Sequence, residues 1–363
     1  MHDGILALLI RRPAVSRMVA SIIVKQAKAN IMNKVNWGIL STAKIGREKV
    51  IPAMQKGQWS HIGAIASRSL AQAQKVADAM GIAKAYGSYD ELFADPDIEA
   101  IYNPLPNDQH VAMTLAAARA GKHVLCEKPF AMNARQAEEL REVAGQVHIM
   151  EAFMVRFHPQ WLRSRELVRS GALGELRTVQ VFFSYFNRQP DNIRNLPEVG
   201  GGALYDIGCY AVVAGRFLFE SEPLRVVALF DRDPDFQTDR TVTAIVDFGG
   251  GRRLDFTVST QSVPYQRVQA IGTKKRLELE IPFNAPLGGA TRLFVDDASA
   301  PGGASAVAET LAPCDMYTLQ GDAFSQAVRG EIALPYGLDD AICNMRILDA
   351  LFKSGNSGCW EDV

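Results

Sequence analysis

Two short motifs carry side chains that suit proton and hydride chemistry. In "HVLCEKPFA", Glu127-Lys128-Pro129 follows an apolar run. Pro129 excludes helical geometry for the residue before it, so Lys128 is held extended at a strand tip. There its ammonium can hydrogen-bond a substrate oxygen and favour alkoxide character. In "GGGALYDIGCYAVV", glycines 200 to 202 precede a helix that places Asp206 and Tyr210 four residues apart, on one face. A phenol relays a proton between alcohol and ketone when a neighbouring cation such as Lys128 lowers its pKa. Plainer readings stand beside these: a solvent-facing lysine in a loop, a half-buried tyrosine, and an aspartate favoured by a helix N-terminus.

Such groups act only if strands and helices bring them together. From Val35 to about Phe153, apolar runs alternate with helical patterns. "VNWGIL", "HIGAIAS", "EAIYN", "KHVLCE" and "VHIMEAFM" read as strands; "GREKVIPAMQKG", "LAQAQKVADAM", "QHVAMTLAAARA" and "ARQAEELREVAG" read as helices. Gly57, Gly81 and Gly121 stand just past helix ends, and Ser88 with Glu91 makes a capping box. This alternation predicts an α/β fold: a doubly wound parallel sheet of Rossmann type over residues 32–153. Past a helix in "RFHPQWLRSRELVRSG" the pattern changes. "LRTVQVFFSYF", "RTVTAIVDF", "RRLDFTVSTQ" and "RVQAIGTKKRLELEI" alternate or turn back on glycines. Residues 154–363 therefore form an α+β domain with a large open, mostly antiparallel sheet. Residues 284–312, rich in Ala, Gly and Pro, read as a long loop before two C-terminal helices. The uncovered sheet predicts a homodimer or homotetramer through that face.

The stretch "WGILSTAKIGREKVIPAM" starts the first strand–helix unit, where a dinucleotide fold has its phosphate turn. A GxGxxG turn uses its glycines for the bend, for close approach of pyrophosphate and for helix–strand packing. Here Ser41, Ala43 and Gly46 hold those places, so only the packing glycine remains. Ala43 is tolerable if its φ is negative, and Ser41 offers a hydroxyl. Ser41, Thr42, Ala43, Ile45 and Gly46 are the candidate contacts of this turn. At the end of the second strand, where an NAD site has a carboxylate for the ribose, the chain reads Ser67-Arg68. A hydroxyl beside a guanidinium favours a 2′-phosphate, hence NADP, with NAD the alternative. A surface arginine at a helix start is the plainer reading.

Composition narrows the classes. The chain has 363 residues, room for two domains, with 48% hydrophobic and 22% charged residues. A net charge of −1 gives no basic surplus for nucleic acid. Cysteines 126, 209, 314, 343 and 359 are scattered and never in a CxxC, which suits free thiols in the cytoplasm. No HExxH, clustered His or Cys pair predicts a metal. Residues 1–31 set Arg11, Arg12, Arg17, Lys25 and Lys28 against Asp3. Their charges follow the first apolar run, unlike a signal peptide, and no run approaches the ~18 apolar residues of a membrane span. They read as an extension outside the fold, with a basic membrane-surface helix as the alternative.

"GILSTAKIG", "NPLPNDQH", "HVLCEKP" and "GGALYDIGCY", in this order, resemble the glucose–fructose oxidoreductase / inositol dehydrogenase (Gfo/Idh/MocA) family over residues 35–355. Many members have His at the last position. Tyr210 is similar to the branch holding glucose–fructose oxidoreductase, dihydrodiol dehydrogenase and NADP-dependent xylose dehydrogenase, as is "YTLQGDAFSQAV". The resemblance implies hydride exchange between a nicotinamide and a sugar, polyol or cyclic diol. It implies Lys128 and Tyr210 as the catalytic pair and Asp206 as the carboxylate that orients substrate. It further implies that Asn103, Pro104, His110 and Glu127 line the nicotinamide half of the cofactor. Arg156 and His158 fall where the family's substrate pocket begins; a helix-entry arginine and an exposed histidine are the plainer readings. A cofactor-sensing regulator and a sugar–sugar oxidoreductase with tightly held cofactor are the alternatives on this fold.

Overall fold

A computed structural model describes residues 34–363; the N-terminal extension expected over residues 1–31 lies outside them. Six parallel strands form the first sheet: β1 (Val35–Leu40), β2 (Ser60–Ala66), β3 (Lys84–Tyr86), β4 (Ala100–Asn103), β5 (His123–Cys126) and β6 (Ile149–Glu151). Their order is β3-β2-β1-β4-β5-β6, so the order of winding reverses between β1 and β4 while all strands stay parallel. That switch point opens a crevice at the strands' carboxyl ends. β1 is almost wholly buried and needs Gly38 inside it, because an added Cβ would lie 2.8 Å from Leu92. Helices α1 (Ile51–Gln55), α2 (Leu70–Met80), α3 (Tyr89–Ala94), α4 (His110–Arg119) and α5 (Ala134–Glu139) cover the sheet.

Local chemistry explains the element ends. Ser88 and Glu91 form the expected capping box on α3, and Gly81 closes α2 with φ 67°. Gly57 is not a left-handed cap. Glycine is required there because a Cβ would lie 2.5 Å from Asp322 Oδ1.

Helix α6 (Pro159–Arg169) leads into the second sheet of nine strands. These are β7 (Leu176–Phe186), β8 (Arg225–Arg232), β9 (Asp239–Asp247), β10 (Arg253–Ser259), β11 (Gln261–Gly272), β12 (Arg276–Leu279), β13 (Thr291–Asp296), β14 (Val307–Leu311) and β15 (Glu361–Asp362). The order is β14-β13-β12-β11-β7-β10-β9-β8-β15, antiparallel except where β10 runs parallel to β7. The long loop expected over residues 284–312 is corrected: β13 and β14 lie within it and extend the sheet edge. Leu277 pairs with Val295 and Leu293 with Glu309, so the buried Leu293 carries this hairpin despite its Ala/Gly/Pro surroundings.

Helix α7 (Cys209–Phe219) is buried along nearly its whole length. The helical run Pro197–Phe219 that contains it is long and apolar enough for a bilayer, yet 83% of its most apolar window lies inside the protein. Two C-terminal helices, α8 (Met316–Val328) and α9 (Leu338–Ser357), complete the fold. Helix α8 packs back on the first sheet. Trp37 Nε1 donates to Ser325 Oγ at 3.1 Å, and Asp322 accepts the N–H groups of Gln58 and Trp59 at 2.8 and 2.9 Å.

Candidate active site

The loops after β1, β4 and β5 meet β7 and the entry to α7 around a cavity of about 840 Å³. Lys128, at the end of β5 and joined to Pro129 by a cis peptide, reaches across it. Its Nζ donates to the Asp206 carbonyl at 2.6 Å and to Asp206 Oδ1 at 3.1 Å. That carbonyl is reachable because Leu204–Gly208 winds as a π turn before α7 begins. Such wide turns break the regular carbonyl ladder and recur at functional sites. Asp206 Oδ2 accepts from Tyr185 Oη at 2.5 Å and from Arg194 Nε at 2.9 Å. Burial opposes the charge on Asp206, but Lys128 and Arg194 together hold its carboxyl well below the usual range. Burial would lower Lys128, but the Asp206 carboxylate with Cys209 and Glu127 together outweigh it, so the ammonium is held protonated.

Tyr210 faces the same cavity, with its ring edge-on to Phe153 at 5.2 Å. The expectation that Lys128 lowers its pKa is corrected. The ammonium lies 5.1 Å from the ring centroid and is bonded to Asp206, while the phenol Oη meets Met154 Sδ at 3.4 Å. Burial therefore pushes the phenol well above its ordinary value. Tyr210 is a protonated donor in this site.

The nucleotide turn lies beyond the cavity, after β1. Ser41 adopts φ 63°, the left-handed conformation for which a glycine is expected, and its Oγ accepts the Ala43 N–H at 3.2 Å. Ala43 has no such φ, so its methyl is tolerated. The first backbone bond of the following helix runs from Arg47 N to Ala43 O. The N–H groups before it form a free helix end, ready for an anion, beside exposed Lys44 and Arg47. Gly46 does not serve tight packing, since an added Cβ would sit 3.8 Å from its nearest neighbour. Ser67 is buried with its Oγ accepting from Ser69 N; Arg68 is exposed and makes no hydrogen bond or ion pair among the described residues. A partnerless guanidinium with no carboxylate beside it fits a dinucleotide carrying an extra phosphate.

Residues 35–155 match the oxidoreductase family with an NAD-binding Rossmann fold, and residues 161–278 match the GFO/IDH/MocA C-terminal domain. This chain belongs to the Gfo/Idh/MocA family. It is 43% identical to an uncharacterized oxidoreductase of Rhizobium meliloti over 92% of this chain and 100% of that one. It is 39% identical to a D-xylose 1-dehydrogenase (NADP(+)) of Haloferax volcanii, over 89% of this chain and 98% of the other. Among solved structures it is similar to KijD10, a 3-ketoreductase of Actinomadura kijaniata in complex with NADP and TDP-benzene. The TM-score is 0.82 at 26% identity, covering 89% of this chain and 98% of that one. The protein is thus an NAD(P)-dependent oxidoreductase acting on CH–OH groups.

Within this Gfo/Idh/MocA site, Ile45, Pro104, His110 and Glu127 line the cavity with the catalytic candidates. His110 is buried, its Nδ1 2.8 Å from Pro129 O and its Nε2 2.7 Å from Leu105 O, so it ties the β4 loop to the lysine segment. Burial lowers its pKa, against the pull of the two carbonyls. Glu127 accepts from Tyr102 Oη at 2.7 Å, and burial raises its pKa. Three of the expected residues stand apart from the cavity lining. Asn103 is fully buried and spends its amide on His110 O, Thr114 and Leu105 N, so it braces the loop rather than lining the site. Arg156 is buried in an ion pair with Asp340 and stacks 4.3 Å from the Tyr336 ring centroid, behind the cavity. His158 caps α6 through Nδ1 and is equally buried. A 3₁₀ turn, Met154–Phe157, divides them: it sends Met154 into the cavity and Arg156 away from it.

Tyr185 and Arg194 are the site residues that the sequence motifs miss. Strand alternation in β7 puts Tyr185 on the buried face with Val179, Val181 and Phe183. Arg194, in the loop before the glycine triplet, carries no comparable signal.

Proposed function

We propose that this protein is an NADP-dependent dehydrogenase that exchanges a hydride with a carbon of a sugar, polyol or cyclic diol. The observation that carries this reading is the meeting of Lys128, Asp206 and Tyr210 in one cavity beside the dinucleotide crevice. When bound, the nicotinamide supplies the hydride acceptor or donor; the turn at Ser41–Ile45 and the Ser67-Arg68 pair would hold its phosphates, with Pro104, His110 and Glu127 along its nicotinamide end. Lys128 donates to the reacting oxygen and stabilises its alkoxide form. Tyr210 gives its phenol proton to that oxygen in the reductive direction and regains it in the oxidative one. Asp206 keeps Lys128 charged and aimed, and Arg194 with Tyr185 holds Asp206 in turn. Phe183 and Phe186 on the cavity wall suit the carbon face of a sugar or diol ring.

The test is reduced-nicotinamide absorbance with NADP or NAD against aldoses, polyols and cyclic diols. Turnover with NADP preferred is expected, and none with any member would sink the proposal. In Arg68→Ala, KM for NADP should rise roughly tenfold or more, the worth of a charge-assisted phosphate contact, while KM for NAD stays put. An unchanged NADP/NAD ratio would remove Arg68 from the phosphate site.

A second copy of this chain covers the open sheet in the assembly we propose. Its outer face exposes Phe182 at 38%, Ile245 at 39%, Tyr265 at 47% and Leu229 at 73%. An apolar face of this kind calls for a partner. Light scattering at micromolar concentration should report a dimer or tetramer; the mass of one 39.7 kDa chain would contradict it. All five cysteines are free thiols, in keeping with the cytoplasmic setting we propose.

A further inference from the structure

Behind the cavity lies a buried carboxylate that the reaction does not use. Glu151 ends β6 and is 3% exposed. Its Oε1 accepts the Phe130 N–H at 3.0 Å, two residues from Lys128. Its Oε2 accepts Asn344 Nδ2 at 2.9 Å, and Asn344 Oδ1 accepts Arg216 Nη1 at 2.7 Å. Arg216 belongs to α7, the helix that carries Tyr210. One chain of buried hydrogen bonds therefore runs from the lysine segment, through α9, to the tyrosine helix.

We propose that Glu151 and Asn344 are positioning residues that set the spacing of Lys128 and Tyr210, and that this relay is complete only while the Glu151 carboxyl is ionised. The inference rests on the catalytic reading of Lys128 and Tyr210. Arg216 is a donor only, so it fixes which end of the Asn344 amide it meets. The amide N–H₂ is thereby turned to Glu151, whose other oxygen faces a backbone N–H. Both oxygens must accept. A proton on either oxygen leaves it a poorer acceptor and can turn an O–H toward the facing donor, so one link is weakened.

The surroundings make this titration accessible. Arg156 from the 3₁₀ turn favours the charge, while Asp340 from α9 opposes it, and the un-ionised thiols Cys126 of β5 and Cys209 of α7 complete the shell. Burial dominates and pushes Glu151 up to about 7, against the pull of Asn344, Arg156 and Phe130 N. Since this folded value is raised, the folded state holds the proton more tightly than the unfolded chain between the ordinary carboxylate range and about 7. Ionisation thus costs stability as pH rises through that window, and it is the same ionisation that completes the relay. Activity should fall on acidification through the window in which the fold becomes, on this account, more stable.

The experiment is the pH profile of kcat for wild type, Glu151→Gln and Asn344→Asp with the best substrate of the panel. Glu151→Gln carries a permanent N–H₂ against one of the two donors, mimicking the protonated acid. Its kcat should be roughly tenfold lower, the scale of a small misplacement of reacting groups, and free of the acid limb near neutrality. NADPH binding followed by fluorescence should be unchanged. Asn344→Asp keeps the acceptor for Arg216 but leaves Glu151 Oε2 without its donor, so kcat should fall near neutrality and the wild-type acid limb should be lost. A wild-type limb in both variants overturns the proposal; if Glu151→Gln does not fold, Asn344→Asp decides alone. Turnover surviving in Lys128→Ala and Tyr210→Phe would instead defeat the catalytic reading, which keeps the two failures apart.

Discussion

Lys128→Ala is expected to lose turnover by a hundred- to ten-thousand-fold, roughly the worth of a positioned proton donor, without losing the fold. The second half of that statement follows from the neighbours of Asp206. Removing the ammonium from a buried pair usually strands the other charge at a cost of about 3–5 kcal/mol. Here Oδ2 keeps Arg194 Nε at 2.9 Å and Tyr185 Oη at 2.5 Å, so the carboxylate stays paired. Tyr210→Phe should lose turnover on a similar scale with still less effect on stability. Its hydroxyl has a thioether for a neighbour, and the ring contacts with Phe153, Phe183 and Phe283 persist. Steady-state kinetics and thermal melts of both variants check this. Full activity in either removes that residue from the chemistry, and a melt collapsed by many degrees would show a structural role instead.

Gly202→Ala should destabilise the protein by about 4 kcal/mol or more, in the range reserved for backbone strain and lost caps in buried places. Gly202 sits at φ 119°, and its added Cβ would lie 2.0 Å from Asp239 Oδ1. Asp239 is 2% exposed and accepts the Leu204 N–H at 2.7 Å, which anchors the turn that leads into Asp206. Alanine therefore adds strain and dislodges the anchor together. Burial raises Asp239 to about 6, so a displaced carboxylate would also regain an ordinary titration. Gly288→Ala, with open space around the added carbon, is the control. Urea midpoints of the two variants should differ widely; equal midpoints would contradict the account.

Much of the fold is legible in the sequence because alternation and turn chemistry are local. The strand–helix alternation to residue 153 gives the parallel sheet, and the alternating residues of β9 give the antiparallel one. The β13–β14 hairpin is illegible for the opposite reason: few apolar positions such as Leu293 carry it, and the rest is small residues and prolines. The catalytic candidates are legible where a motif fixes geometry on its own, as proline does for Lys128. Their pairing is not, since Lys128 bonds Asp206 rather than Tyr210 only once β5 and α7 have docked. Arg156 is misplaced by sequence adjacency, which gives distance from the last strand but not the direction set by a 3₁₀ turn. Arg194 and Tyr185 acquire roles only by meeting Asp206 in space.

The docking of α8 on the first sheet bears on the order in which the protein takes shape during synthesis. Trp37, in the first strand, is fully buried with its ring 5.2 Å from Phe324 and its indole N–H on Ser325. The Ser325 partner of that tryptophan emerges from the ribosome 288 residues after it. The cofactor half of the molecule thus stays unfinished until nearly the whole polypeptide has been made, its first strand waiting with one apolar flank uncovered. Contacts of such long range are slow to form and leave the nascent chain open to association in the meantime. Expression of residues 34–153 alone would make that waiting state permanent.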